Sequence, residues 1–261
     1  MVSGSDMDVG GNGSASAFRQ SGVQLTELLG LSVPPIAITF LDTVPTSIPQ
    51  LGLPMCEPTS DLRQGIVPAG CVFWTIATGK TFVTTPEEHG NCSVGSVTHG
   101  LISLEAAAQK ADVQAVCEAG WVTMEAMQQI TAIPSRPSAI VYGPLAETQI
   151  EPSVILLRLN GKQQMLLHDA WPGIRLEGKP QCHIIAIAKE LDQIALSVGC
   201  MLSRVRTGMS NNEVTCAVPA GKVQVLIQRL HSAQGADFAV ARYAAEDAKR
   251  FPSASDRMRR H

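Results

Sequence analysis

The sequence predicts an α/β (or α+β) fold in which helices pack on one mixed sheet, built as two similar halves with pseudo-two-fold symmetry. Three observations predict it. Short apolar runs of strand length, such as IAITFLD, SAIVYGPL and SVILLRLN, alternate with stretches whose apolar residues recur at helical spacing. No apolar run approaches the ~20 residues needed to cross a bilayer, so these runs read as buried strands. An order of cysteine, helix, strand and second cysteine occurs twice.

The N-terminal stretch MVSGSDMDVGGNGSASAF is polar and rich in Gly and Ser, and is expected to be a disordered leader over residues 1–20. Residues 21–30 fit a short amphipathic helix with Leu25, Leu28 and Leu29 on one face and Gly30 as its stop. Pro34-Pro35 then leads into the strand IAITFLD. Residues 43–68 carry five prolines and little periodicity, so they form a long loop, with Cys56 inside it.

The next stretch, GCVFWTIATGKTFVTTPEEHGNCSVGSVTHG, gives a helix opened by Cys71, a Thr-rich strand and a polar corner, Glu87-Glu88-His89. A second helix follows, opened by Cys92. Residues 101–133 read as two helices broken near Gly120, with Cys117 on an Ala-rich face as core. The strands SAIVYGPL and SVILLRLN follow. Asn160-Gly161 is a turn signal before the helix KQQMLLHDAW, and GIRLEGKP is a short extended segment. CHIIAIAKEL is a helix starting at Cys182, and IALSVGC is a strand running into Cys200. MLSRVRTGMSNN is a loop or short helix, and EVTCAVP is a strand with Cys216 in the core. AGKVQVLIQRLHSA is a helix with Val223, Leu226, Ile227 and Leu230 inward. The expected domain is 21–234, with halves of about 31–145 and 146–234 and a helical, polar tail over 235–261.

Composition narrows the function. A net charge of -3 offers no electrostatic footprint for nucleic acid, and 4% aromatic residues offer few stacking platforms for bases. The chain contains no GxxxxGKS, GxGxxG, GxSxG or HExxH sequence, which sets nucleotide and zincin chemistry aside. Seven cysteines without a basic, apolar export signal fit reduced thiols in a cytoplasmic setting better than a disulfide framework. They are then buried thiols, metal ligands or catalytic thiols.

Cys92 stands out because a thiol at a helix start meets unpaired backbone N–H groups, which favour the thiolate. The echo adds three more. Cys71 and Cys92 are 21 residues apart, and Cys182 and Cys200 are 18 apart. If the halves are duplicated, equivalent loops meet at the axis and the four cysteines surround one point. Four thiolates suit an iron–sulfur cluster or a tetrahedral zinc ion. No CxxC pair is present, so the site has to be assembled from distant segments.

PPIAITFLD, the run Thr85, Pro86, Glu87, Glu88, His89, Cys92 and Gly95, and the second cysteine-bearing half together resemble domain-of-unknown-function family 169 over residues 21–233. The resemblance implies cysteines at the positions of Cys71, Cys182 and Cys200, all of which are present. The chain departs from the family pattern after Cys92, with Ser-Val-Gly for Pro-Gly-Gly. It departs again after Cys200, with Met-Leu-Ser-Arg for Pro-Gly-Asp-Arg, and Arg204 takes the place of that arginine. The family name implies no reaction.

The expected function is therefore a cluster-dependent or redox enzyme. Cys71, Cys92, Cys182 and Cys200 hold an iron–sulfur cluster, with zinc or no metal as alternatives, and His89, Glu88 and Arg204 act beside it. A small-molecule substrate or redox partner is expected, with no nucleic acid or membrane partner and a homo-oligomer left open. Two other classes stand against this. One is a metal-free thiol enzyme with Cys92 as nucleophile, His89 as base and Glu88 orienting it. The other is a binding protein without chemistry, its cleft lined by apolar strands and the Pro-rich loop.

Overall fold

The computed structural model describes residues 11–52, 70–90, 92–207 and 209–250. Helix α1 (Gly11–Leu29) packs on the sheet and ends at Gly30, whose φ of 60° is the left-handed conformation glycine supplies at a helix stop. Residues 11–20, expected in the leader, are helical. Ala15 is buried and Phe18 packs against the core, which draws the helix back beyond its Leu face. Gly22 makes the close approach possible, since a Cβ there would stand 2.6 Å from the backbone nitrogen of Ala146.

Strand β1 (Ile36–Leu41) follows, then α2 (Gly70–Ile76), β2 (Phe82–Thr84), a 3-10 turn over Pro86–His89 and α3 (Ser93–Thr98). Where two helices were expected up to Ile133 there are three short ones: α4 (Leu104–Ala108), α5 (Ala111–Glu118) and α6 (Met124–Gln128). The extra break is at Lys110, whose ψ of 139° is extended. It turns α5 so that Val113 is buried and Asp112 faces α3. Then come β3 (Ala139–Pro144), β4 (Val154–Leu159) and α7 (Gly161–Ala170). Asn160-Gly161 starts α7 rather than making a turn, because Asn160 and Gln163 form a reciprocal capping box. The remaining elements are β5 (Arg175–Glu177), α8 (His183–Glu190), β6 (Ala195–Ser197), α9 (Met201–Thr207), β7 (Val214–Pro219) and α10 (Val223–Arg250).

The strands form one seven-stranded sheet in the order β2-β3-β1-β4-β7-β6-β5. All neighbours are antiparallel except β5 and β6. The β1–β4 pair joins the two halves of the chain. Outward from it, the first half supplies β1, β3 and β2, and the second supplies β4, β7 and β6 with β5 beyond.

Alternation along the strands gives each face its own core. Ile155, Leu157 and Leu159 of β4 join α1, α7 and α10 on one face, with Cys216 among them. Val154 and Leu156 point to the other face, against Phe73 and Trp74 of α2 and Ile184, Ile185 and Ile187 of α8. A smaller cluster around Val94, Val97 and Val113 holds α3 to α5. No helix among the described residues is long and apolar enough to cross a membrane.

A cysteine-lined cleft between the halves

The four cysteines singled out from the sequence lie far apart in the chain. Cys71 is the second residue of α2, and Cys92 is the N-cap of α3 in an extended conformation. Cys182 is the N-cap of α8. Cys200 precedes α9, and its carbonyl accepts the Arg204 N–H at 3.0 Å as the first helical bond. All four line one cleft enclosing about 590 Å³, its mouth included. Helix α2 packs on α9 and α3 packs on α8. Each contact therefore joins a cysteine-opened helix of one half to one of the other.

Every cysteine of the set sits at a helix start, where exposed N–H groups and the helix dipole favour negative charge. Burial works against this. The Cys182 thiol is pushed well up by desolvation and by the neighbouring Cys92, with Cys200 and Cys71 adding to it, and the Thr98 hydroxyl partly offsets the effect. Without a positive partner, Cys182 stays a neutral thiol. Gly95 lies beneath this pair: a Cβ there would stand 3.5 Å from Cys92 Sγ and 3.9 Å from Cys182 Sγ.

Among the described residues no three His, Cys, Asp or Glu side chains converge tightly enough to hold a single metal ion. Thiolates on one zinc at ~2.3 Å lie within about 4.6 Å of each other. Thiolates on a cluster each take a different iron and stand further apart. The four cysteines lining the cleft are donors of the type a thiolate-bound metal group takes.

The other expected site residues serve the frame. His89 is buried away from the cleft, edge-on to Phe73 at 4.6 Å. The Thr84 hydroxyl donates to the Ile140 carbonyl and accepts from His89 Nε2–H at 3.0 Å. Burial, with His99 nearby, holds the His89 imidazole neutral. Glu88 is also buried, its carboxylate accepting from the N–H groups of Thr85 at 2.8 Å and Gly52 at 3.1 Å. It thereby caps its own turn and ties down the chain after β1. Arg204 donates to the carbonyls of Ser210 (2.5 Å), Val198 (2.7 Å) and Glu213 (2.9 Å), which clips together the loops on either side of α9. Gly199, with φ of 109°, makes room for that guanidinium. Cys117 packs half-buried in the small cluster, Cys216 is fully buried on the opposite face of the sheet, and Cys56 falls outside the described residues.

Several cleft residues escaped the sequence reading. Asp112 lines the cleft and accepts from Ser93 N (2.8 Å) and Ser93 Oγ (2.7 Å), so it caps α3 in place of the Cys92 side chain. Trp74 stands three residues after Cys71 on the same helix face, a spacing that in retrospect marks it. Gln181 and Trp121 also line the cleft, and no local pattern announces them. His99 is the C-cap of α3 and is buried. Its Nδ1–H donates to the Gly95 carbonyl at 2.9 Å, so Nε2 keeps its lone pair, and the ring edge faces Gly70 beside Cys71. Burial pushes its pKa down to about 4.

Fold and site together define an α/β protein whose two halves close on a cysteine-lined cleft. The chain belongs to domain-of-unknown-function family 169, described as "Uncharacterised ArCR, COG2043", whose model matches residues 24–229. No curated protein and no solved structure matches it.

Proposed function

We propose that this chain is an iron–sulfur protein in which Cys71, Cys92, Cys182 and Cys200 hold the cluster and the cleft admits a small-molecule substrate or redox partner. The observation carrying this reading is that four cysteines from four separate helix starts line one cleft. When bound, such a cluster supplies electron transfer. The chain's own residues do the rest. Helix starts beside the four cysteines favour negative charge nearby, as on thiolates. Gly95 leaves space beside Cys92 and Cys182. Trp74, Trp121, Val94 and Val116 give the cleft an apolar wall. Arg204 fixes the loop that carries Cys200. Strand order and helix pairing are those a duplicated half would give, which supports the cysteine set as a designed convergence.

The metal-free thiol reading has less behind it. It needs a base at Cys92, whereas His89 stands off the cleft with Nε2 engaged by Thr84, and Asp112 is held by Ser93.

The test is anaerobic reconstitution with ferrous iron and sulfide, followed by iron and labile-sulfide analysis and a visible spectrum. The expected product is brown and iron-loaded. Cys→Ser changes at 71, 92, 182 and 200 should each cut the iron content sharply, and Cys117→Ser should leave it unchanged. Colourless, iron-free protein after reconstitution rejects the reading.

A further inference from the structure

Two buried hydrogen-bond donors lie in the core patch behind the cysteines, one of them lining the cleft, and neither has a partner among the described residues. Trp74 is 3% exposed and lines the cleft, and its Nε1–H meets no acceptor among the described residues. Tyr142 is fully buried on β3, its ring stacked on Phe82 at 5.8 Å and close to Phe73 at 5.6 Å. Its hydroxyl also lacks a partner among the described residues. The core patch holding both residues is the one against which Cys71 and Cys182 pack. A buried unpaired donor costs about 1–3 kcal/mol, and native proteins leave few of them. Two in the one core patch that Cys71 and Cys182 pack against mark a place where an acceptor belongs. Neutral thiols accept weakly, whereas thiolates and sulfides accept well.

We propose that Trp74 and Tyr142 are positioning residues that donate hydrogen bonds to the sulfur atoms of the thiolate-bound cluster and set its reduction potential. The inference rests on the reading given under Proposed function. Electron density on the sulfurs rises on reduction, so donors aimed at them favour the reduced state and raise the potential.

The test compares wild type, Tyr142→Phe and Trp74→Phe, each metal-free and each reconstituted with ferrous iron and sulfide. Tyr142→Phe removes only the hydroxyl, so the metal-free variant should melt at the same temperature as wild type or higher. Once loaded, it should gain less in Tm than wild type. Its potential should fall by up to a tenfold change in the oxidised-to-reduced ratio, about 59 mV for one electron. Trp74→Phe loses ring volume as well, so it is judged on potential, which should fall in the same direction. Wild type that fails to load rejects the cluster itself. Wild type that loads, with both variants keeping its potential, overturns only the donors. A Tyr142→Phe variant equally destabilised in both forms also overturns them, because it assigns the hydroxyl a purely structural role.

Discussion

At the scale of single residues, the cleft trades stability for space. Gly95 lies in the interior of α3, where alanine would be favoured by up to about 1 kcal/mol. The added Cβ would meet both sulfurs at ordinary contact distance, so the metal-free Gly95→Ala protein should fold and melt at an equal or higher temperature. If the proposed cluster binds here, the same methyl takes up space beside two of its cysteines, so iron uptake should drop several-fold. Iron content beside a metal-free melting curve checks both parts.

His99 makes a second residue-scale prediction. Its pKa is depressed from 6.5 to about 4, so the unfolded chain binds its proton first as pH falls. The folded state of the metal-free protein therefore keeps its full stability above pH 6.5. It loses on the order of 3 kcal/mol by pH 4, and His89 adds to the loss in the same direction. His99→Asn, which keeps a donor for Gly95, should flatten the slope of stability against pH between 4 and 6.5 by about one proton. An unchanged slope would assign the acid sensitivity elsewhere.

At the scale of elements, the cysteine-bearing segments are held by side chains of quite different origin. Arg204 gathers three carbonyls that no other cation reaches among the described residues. Bonds of this charged kind are worth about 1.5–3 kcal/mol each, partly offset by solvent at this rim. Arg204→Met should cost about 2 kcal/mol and loosen the Cys200 loop. Arg204→Lys should restore little of it, since an ammonium cannot serve three carbonyls in a fork. Urea unfolding and protease sensitivity near residue 200 check this. Asp112 does the same for α3, and losing that cap through Asp112→Ala should cost about 1 kcal/mol in urea unfolding.

These two side chains show why the site was only partly legible. Cys71, Cys92 and Cys182 were visible because each was expected to open a helix, and Cys200 through the repeated order of elements and the family resemblance. The partners of Asp112 and Arg204 are set by how α5 and α9 are turned, which local periodicity does not encode. His89 and Glu88 drew attention as a polar corner before a cysteine. That corner proves to be a capping device and an aromatic contact, because the turn folds back on β2 instead of opening toward the cleft.

At the scale of the whole molecule, the cleft lies where the two halves meet, and its cysteines come two from each half. A group bound by all four would cross-link the halves. Loading should raise Tm as any ligand of the native state does, by RT ln(1 + [L]/Kd), or about 2.7 kcal/mol at a hundredfold excess over Kd. Removal of the metal by a chelator should return Tm to the metal-free value. Loss of any one cysteine should abolish most of the gain. Calorimetry on loaded and stripped protein checks this, and a Tm indifferent to loading would mean that the group does not bridge the halves.

The sequence by itself determined the class of fold, most of the strands and the helix starts at Cys71, Cys92 and Cys182, because periodicity, glycine stops and prolines act over a few residues. Only the tertiary structure decided the strand order, the break at Lys110, the position of His89 off the cleft lining, and the presence of Trp74 and Asp112 in it. Those outcomes depend on which faces are buried against each other. Burial is a property of the folded chain, and no short stretch of residues specifies it alone.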